Sequence, residues 1–242
     1  MSVRPFMHYM LLPLNQHFDR GFGAVADAFK DSADSLSGDG VSVFTLNTHI
    51  PVSFLYRHAI ELYFKSAIII FHRRLNLPFG EMPSDGEPQL LVGKKWKPMY
   101  NVHQLQALYT YFQGLFRDHS SFLTENTNTN WDFPKEFGSW IAEIEAIDSS
   151  STFFRYPVTK HGERDKDKSI MRQADHTNLL DNINERTTPL KALLVLDQNY
   201  EVANAFSHDD TVAKANVSLL RKVAETLHGC HAALVGELTS GW

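Results

Sequence analysis

The stretch HIPVSFLYRHAIELYFKSAIIIFHRRL, His49 to Leu75, decides how this chain is read. Its pattern predicts one long helix. Pro51 stands in the first turn, where a missing N–H is tolerated. Apolar residues at Phe54, Leu55, Ile60, Leu62, Tyr63, Phe64, Ala67, Ile68, Ile70 and Phe71 cover more than half of its circumference, so it must be buried among other helices. One line interrupts that surface. Arg57, Glu61 and Lys65 recur every four residues on one face, with His58 beside them. The line reads either as a partly buried salt-bridge ladder or as the wall of a cleft in which Glu61 orients an arginine or a catalytic histidine.

Working outward, amphipathic patterning predicts helices over Leu14–Leu36, Val102–Asp118, about Pro134–Ile147 and Thr211–Leu238. Gly21 and Gly23 in the first of these suit a close approach of two helices. Between the helices, the proline- and glycine-rich run after Leu75 excludes helix and offers a small hairpin, Gln89–Val92 with Lys95–Lys97, around Gly93 and Lys94. The run from Asp118 to Pro134 reads as a polar loop, and Glu163–Lys168 as a solvated charged loop. A short helix is expected within Met171–Arg186, around Leu179, Leu180 and Ile183. A second hairpin, Ala192–Leu196 with Tyr200–Ala203, is expected to lie against the helices or to pair with the Gln89 segment. The fold expected is therefore mainly α: one domain spanning residues 1–242, an up-and-down helical bundle with an inserted β-hairpin or small sheet, its inserted segments at about 76–101 and 187–206.

Composition sets bounds on function. The 242 residues carry a formal net charge of -5, which argues against a generally basic nucleic-acid surface while leaving room for a local patch. Such a patch exists at Lys94, Lys95 and Lys97 around Trp96, where cations beside an aromatic ring suit RNA backbone and base. A solvated loop anchored by Trp96 is the plainer reading. A single cysteine, Cys230, excludes an internal disulfide. The N-terminal run is interrupted by Pro5, His8 and Pro13, a poor secretory signal, and Arg57, His58, Glu61 and Lys65 break the only apolar stretch of near-membrane length. A cytoplasmic protein without a membrane segment is expected. There is no phosphate-binding glycine loop, no nucleophile elbow and no HExxH. Histidine pairs such as His228 with His231, or His58 with Glu61, make a weak case for a metal, and neither metal nor cofactor is expected.

The segment PVSFLYRHAIELYFKSAI, the later Asn101-Val102-His103-Gln104-Leu105, and Phe154-Arg155-Tyr156-Pro157 together resemble bacterial HEPN-like helical-bundle proteins of a branch with an FRYP segment. The resemblance covers about residues 51–162. It implies a HEPN-like bundle, a homodimer, and an activity found in many such proteins: metal-independent ribonuclease action in toxin–antitoxin or phage-defence systems, with an antitoxin or defence-system protein as partner. Other members are non-catalytic modules that bind RNA, a nucleotide or a protein, and that alternative stays open. Nuclease members carry an arginine followed, after four to six residues, by a histidine. Arginine would stabilise the charge of the phosphorane and histidine would move the proton of the RNA 2′-hydroxyl. Two pairs here fit that spacing, Arg155 with His161 and, alternatively, Arg221 with His228. The first is followed by Tyr156-Pro157 and precludes a helical presentation, whereas the second lies on a helix. Arg155 with His161 is the pair expected to act, supported by Arg57, His58, Glu61, Lys65 and Tyr156, with Glu61 and Arg57 holding the FRYP segment.

Overall fold

The computed structural model describes residues 9, 11–38, 46–160, 162–175, 177 and 191–241. Its centre is helix α2, His49–Arg74, preceded by α1, Phe22–Leu36. Eighteen of the 26 residues of α2 are buried, including Tyr56, Ile60, Tyr63, Phe64, Ile68 and Phe71. A hairpin of β1, Gln89–Val92, and β2, Lys95–Pro98, follows, with Gly93 in the left-handed region at the turn. Then come α3, Leu105–Asp118, α4, Ser120–Asn126, and α5, Phe137–Ile147. After a short α6, Gly162–Asp165, strand β3, Met171–Ala174, joins β4, Lys191–Leu196, and β5, Val202–His208, in an antiparallel sheet of order β3-β5-β4. The long α7, Thr211–Leu238, completes the bundle. No helix among the described residues is long and apolar enough to cross a membrane.

The mainly α expectation holds, but the helix directions are not a simple up-and-down series. Contacts rise together along α2 and α3, with Arg57 at His103, Phe64 at Phe112 and Phe71 at Phe116, so these two helices run parallel. The same logic sets α7 parallel to α2, since Tyr56 and Tyr63 meet partners of Arg221 and His228 in that order. Residues 76–101 therefore carry the chain back along α2, and parallel neighbours require such a long crossover. Trp96 anchors it, packed against Gly80, His72 and Tyr111; a Cβ on Gly80 would lie 2.7 Å from the indole.

Several local expectations are corrected. The first helix starts at Phe22 rather than Leu14, because the buried Asp19 carboxylate accepts the N–H groups of Gly21 and Gly23 and fixes the entry turn. Gly23 does permit a close approach: a Cβ there would lie 2.0 Å from His231 of α7. The polar run after Asp118 contains α4, held by the burial of Leu123. In the charged loop Lys168 is buried, its ammonium donating to Tyr156 O and Asp165 and lying 4.4 Å from the Phe153 ring centre. The second hairpin pairs with β3, not with Gln89, and β4 stands away from the helices with all six residues exposed. The helix expected around Leu179, Leu180 and Ile183 lies outside the described residues.

Enclosing α2 also encloses its charged line. Arg57, Glu61 and Lys65 are at most 2 % exposed. Glu61 accepts from Arg57 Nη1 at 3.2 Å, Lys65 Nζ at 2.7 Å and His103 Nδ1 at 3.0 Å. Arg57 Nη2 also donates to the His103 carbonyl at 2.5 Å, and Glu145 of α5 accepts the Leu105 and Gln106 N–H groups at the start of α3. One network thus ties α2, the His103 turn, α3 and α5 together. Burial alone would push the Glu61 carboxyl up, but Lys65, Arg57 and His103 outweigh it and hold it below the usual carboxylate range. Removing Glu61 strands two buried cations, so Glu61→Ala is expected to cost about 3–5 kcal/mol in urea unfolding. A triple replacement by apolar residues of similar volume should cost less than that single change.

Candidate functional site: a polar seam between three helices

Both Glu61 oxygens are engaged within the buried ladder, by Arg57, Lys65 and His103 rather than by Arg155. Arg155 is exposed, its guanidinium 5.5 Å from the Phe54 ring centre, so the FRYP segment meets α2 through an aromatic ring rather than through Glu61 and Arg57. His58 lies between Phe29 and Phe54 with a buried, unpartnered Nδ1, and burial pushes its pKa down. His161, the expected partner of Arg155, lies outside the described residues. Tyr156 is exposed; its carbonyl receives Lys168. Lys94, Lys95 and Lys97 are exposed, whereas Trp96 is committed to packing and is not a free stacking platform.

A different cluster gathers where α1, α2 and α7 meet. Asp27 of α1 faces Tyr63 of α2 and His228 of α7. The Tyr63 hydroxyl donates to Asp27 Oδ1 at 2.5 Å, and His228 Nδ1–H donates to the same oxygen at 2.9 Å, with Tyr63 Oη 3.1 Å from that nitrogen. Seven residues along each helix the arrangement repeats. The Tyr56 hydroxyl donates to Asp34 Oδ1 at 2.5 Å, and Arg221 Nε lies 3.6 Å from that oxygen while donating to Glu225 at 3.0 Å. Asp27 and Asp34, Tyr63 and Tyr56, His228 and Arg221 therefore form two layers of tyrosine, carboxylate and cation, about 10 Å apart at the helical rise.

A third, fully buried layer closes the end. Tyr9 O–H donates to His231 Nε2 at 2.9 Å, His231 Nδ1–H to Ser66 Oγ at 3.0 Å, and Ser66 O–H to Asp19 Oδ2 at 2.5 Å. Desolvation pushes the His231 pKa down, so its neutral form fits this chain of donors. The order is wrong for a nucleophilic serine. Ser66 spends its proton on Asp19 and receives one from His231, which therefore cannot deprotonate it.

Electrostatics separate the two histidines. The Asp27 hydrogen bond raises the His228 pKa above its ordinary value despite partial burial. Burial alone would raise the Asp27 carboxyl; His228, Tyr63 and His231 bring it below the usual range. With Nδ1 held by Asp27, His228 presents Nε2 as its acid–base atom. Asp27, His228, His231 and Tyr9 border a pocket of about 230 Å³ whose remaining wall includes Ala232 and Val235. Among the described residues no group of three or more His, Cys, Asp or Glu side chains could hold a metal ion. Desolvation pushes the Cys230 thiol up, away from thiolate chemistry.

Of the residues expected from sequence, the structure thus joins His228 and Arg221 to one seam and adds Asp27, Tyr63, Asp34 and Tyr56. The shared spacing of seven in three helices was the signal for these four. No family model matches the chain, and no curated protein or solved structure matches it.

The raised His228 pKa has a consequence for stability. Its ion pair with Asp27 contributes fully below the unfolded value of about 6.5 and is lost as pH rises through the higher folded value. His228→Gln should therefore destabilise the protein more at about pH 5.5 than at about pH 8.5 in denaturant titrations.

Proposed function

We propose that this chain is a metal-independent ribonuclease whose acid–base group is His228, held by Asp27. The observation carrying this reading is the 2.9 Å contact of His228 Nδ1 with Asp27 Oδ1 at a partly exposed edge of α7, with Arg221 two turns away on the same edge. Asp27 would fix the tautomer and favour the protonated imidazole, so that Nε2 gives its proton to the departing 5′-oxygen while a water molecule takes the 2′-hydroxyl proton. Arg221, half exposed, would leave its surface carboxylates to neutralise the developing phosphorane charge. The resemblance to HEPN-like proteins supports the same chemistry, and it supports action as a toxin or defence effector. It rests on the residues quoted from the sequence. The pair Arg155 and His161 remains the competing placement of the same reaction.

A second reading, a non-catalytic module for RNA, a nucleotide or a protein partner, is favoured by one observation: Lys94, Lys95 and Lys97 are exposed together on the β1–β2 hairpin. Cleavage assays separate the readings. With single-stranded RNA and excess chelator, His228→Ala is expected to lose about 10²–10⁴-fold in rate. Asp27→Asn should retain more activity and shift the alkaline limb to lower pH, because the histidine loses the carboxylate that raises its pKa. Loss of cleavage in Arg155→Ala with His161→Ala, but not in His228→Ala, would move the site to the first pair. Saturable binding without cleavage in the wild-type chain would favour the module.

A further inference from the structure

Among the described residues, the β3-β5-β4 sheet ends on an apolar edge at β4. β5 pairs with one side of β4, and no strand pairs with the other among the described residues. Leu193 is 55 % exposed, Leu194 and Val195 are each 41 %, and Leu196 is 49 %. Edges of this kind are ordinarily blunted by an inward charge, a proline or a bulge in the edge strand. Ala192–Leu196 carries neither charge nor proline. The irregularity in its pairing, Val195 with Asn204 and then Leu196 with Val202, puts the extra residue, Ala203, in β5 and leaves β4 unbroken.

We propose that β4 is a self-association edge, and that two copies of this chain pair β4 antiparallel to β4 about a two-fold axis at Leu194. That register sets Leu193 opposite Val195 of the second copy, Ala192 opposite Leu196, and Lys191 opposite Asp197. Two apolar strands of one sequence then end in two opposite-charge pairs, generated together by the symmetry. Moving the axis half a residue either way sets Lys191 against Leu196 or Gln198 and removes both pairs, so charge selects the register. Asp197 is fixed for this role, because its Oδ1 accepts the N–H groups of Asn199 and Glu201 at the strand end. The two three-stranded sheets become one of six strands, and the free backbone groups of β4 gain partners. A strand from an unrelated protein would gain the backbone bonds without the reciprocal charge pairs. This inference stands apart from the nuclease reading.

Position 194 faces itself across the axis, which gives a decisive test. In sedimentation equilibrium over micromolar concentrations the wild-type chain is expected to dimerise. Leu194→Glu and Leu194→Lys each oppose like charges on the axis and should raise the dissociation constant at least about tenfold. Mixing the two variants in equal amounts should restore association, which a folding defect would not allow. Independently, Leu194→Cys should form an intermolecular disulfide under mild oxidation, while Tyr200→Cys, at the exposed turn, should not. A monomeric wild-type chain, or a dimer that both charged variants leave intact, would overturn the proposal. So would a monomeric chain whose β4 captures a different protein.

Discussion

Everything in this bundle depends on how α2 satisfies its own charges once it is surrounded. A helix enclosed by α1, α3 and α7 leaves no water for Arg57, Glu61 and Lys65, and three buried ions without partners would cost more than the packing returns. The ladder pairs these charges with one another and reaches outward only to His103, whose carbonyl accepts from Arg57 and whose Nδ1 meets Glu61, and this places the start of α3. Glu145 completes the same junction from α5, its carboxyl pushed up by burial while it caps the α3 backbone. The charged line is thus a fastening between elements, and its burial removes it from solvent.

The opposite side of α2 solves a similar problem differently. There the tyrosines are nearly enclosed, but each hydroxyl reaches a carboxylate of α1 that also faces α7. The layers grade from fully buried, at Asp19, Ser66 and His231, to partly exposed at Asp34 and half exposed at Arg221. Only the middle layer combines a titratable imidazole with partial access, and this grading singles out His228 among the histidines of the seam. His231, three residues on, is enclosed and kept neutral, which suits a fixed structural relay.

Legibility in the sequence followed the length of the pattern. Helices α2, α3 and α7 were plain because their apolar periodicity is long, and burial of α2 followed from the width of its apolar surface. The direction of α3 was not legible, because nothing in the 76–101 run states which end of α2 it returns to. Met171–Ala174 was hidden because a four-residue strand on an exposed sheet shows little alternation. At the site, Arg57, Glu61 and Lys65 could be placed on one face, but whether that face met water was a tertiary question. Asp27, Tyr63, Asp34 and Tyr56 escaped notice because each looks ordinary within its own helix; the matched spacing becomes visible only across three.

Asp27 fixes the tautomer of His228 and raises its pKa, and the proposed chemistry depends on both effects. Nitrogen-15 NMR of histidine-labelled protein, titrated through neutrality, reads this directly. The account expects His228 to titrate above the ordinary imidazole value, with Nδ1 protonated in the neutral form, and to lose the elevation in Asp27→Asn. A His228 that titrates at or below the ordinary value, or whose neutral form carries its proton on Nε2, would contradict it.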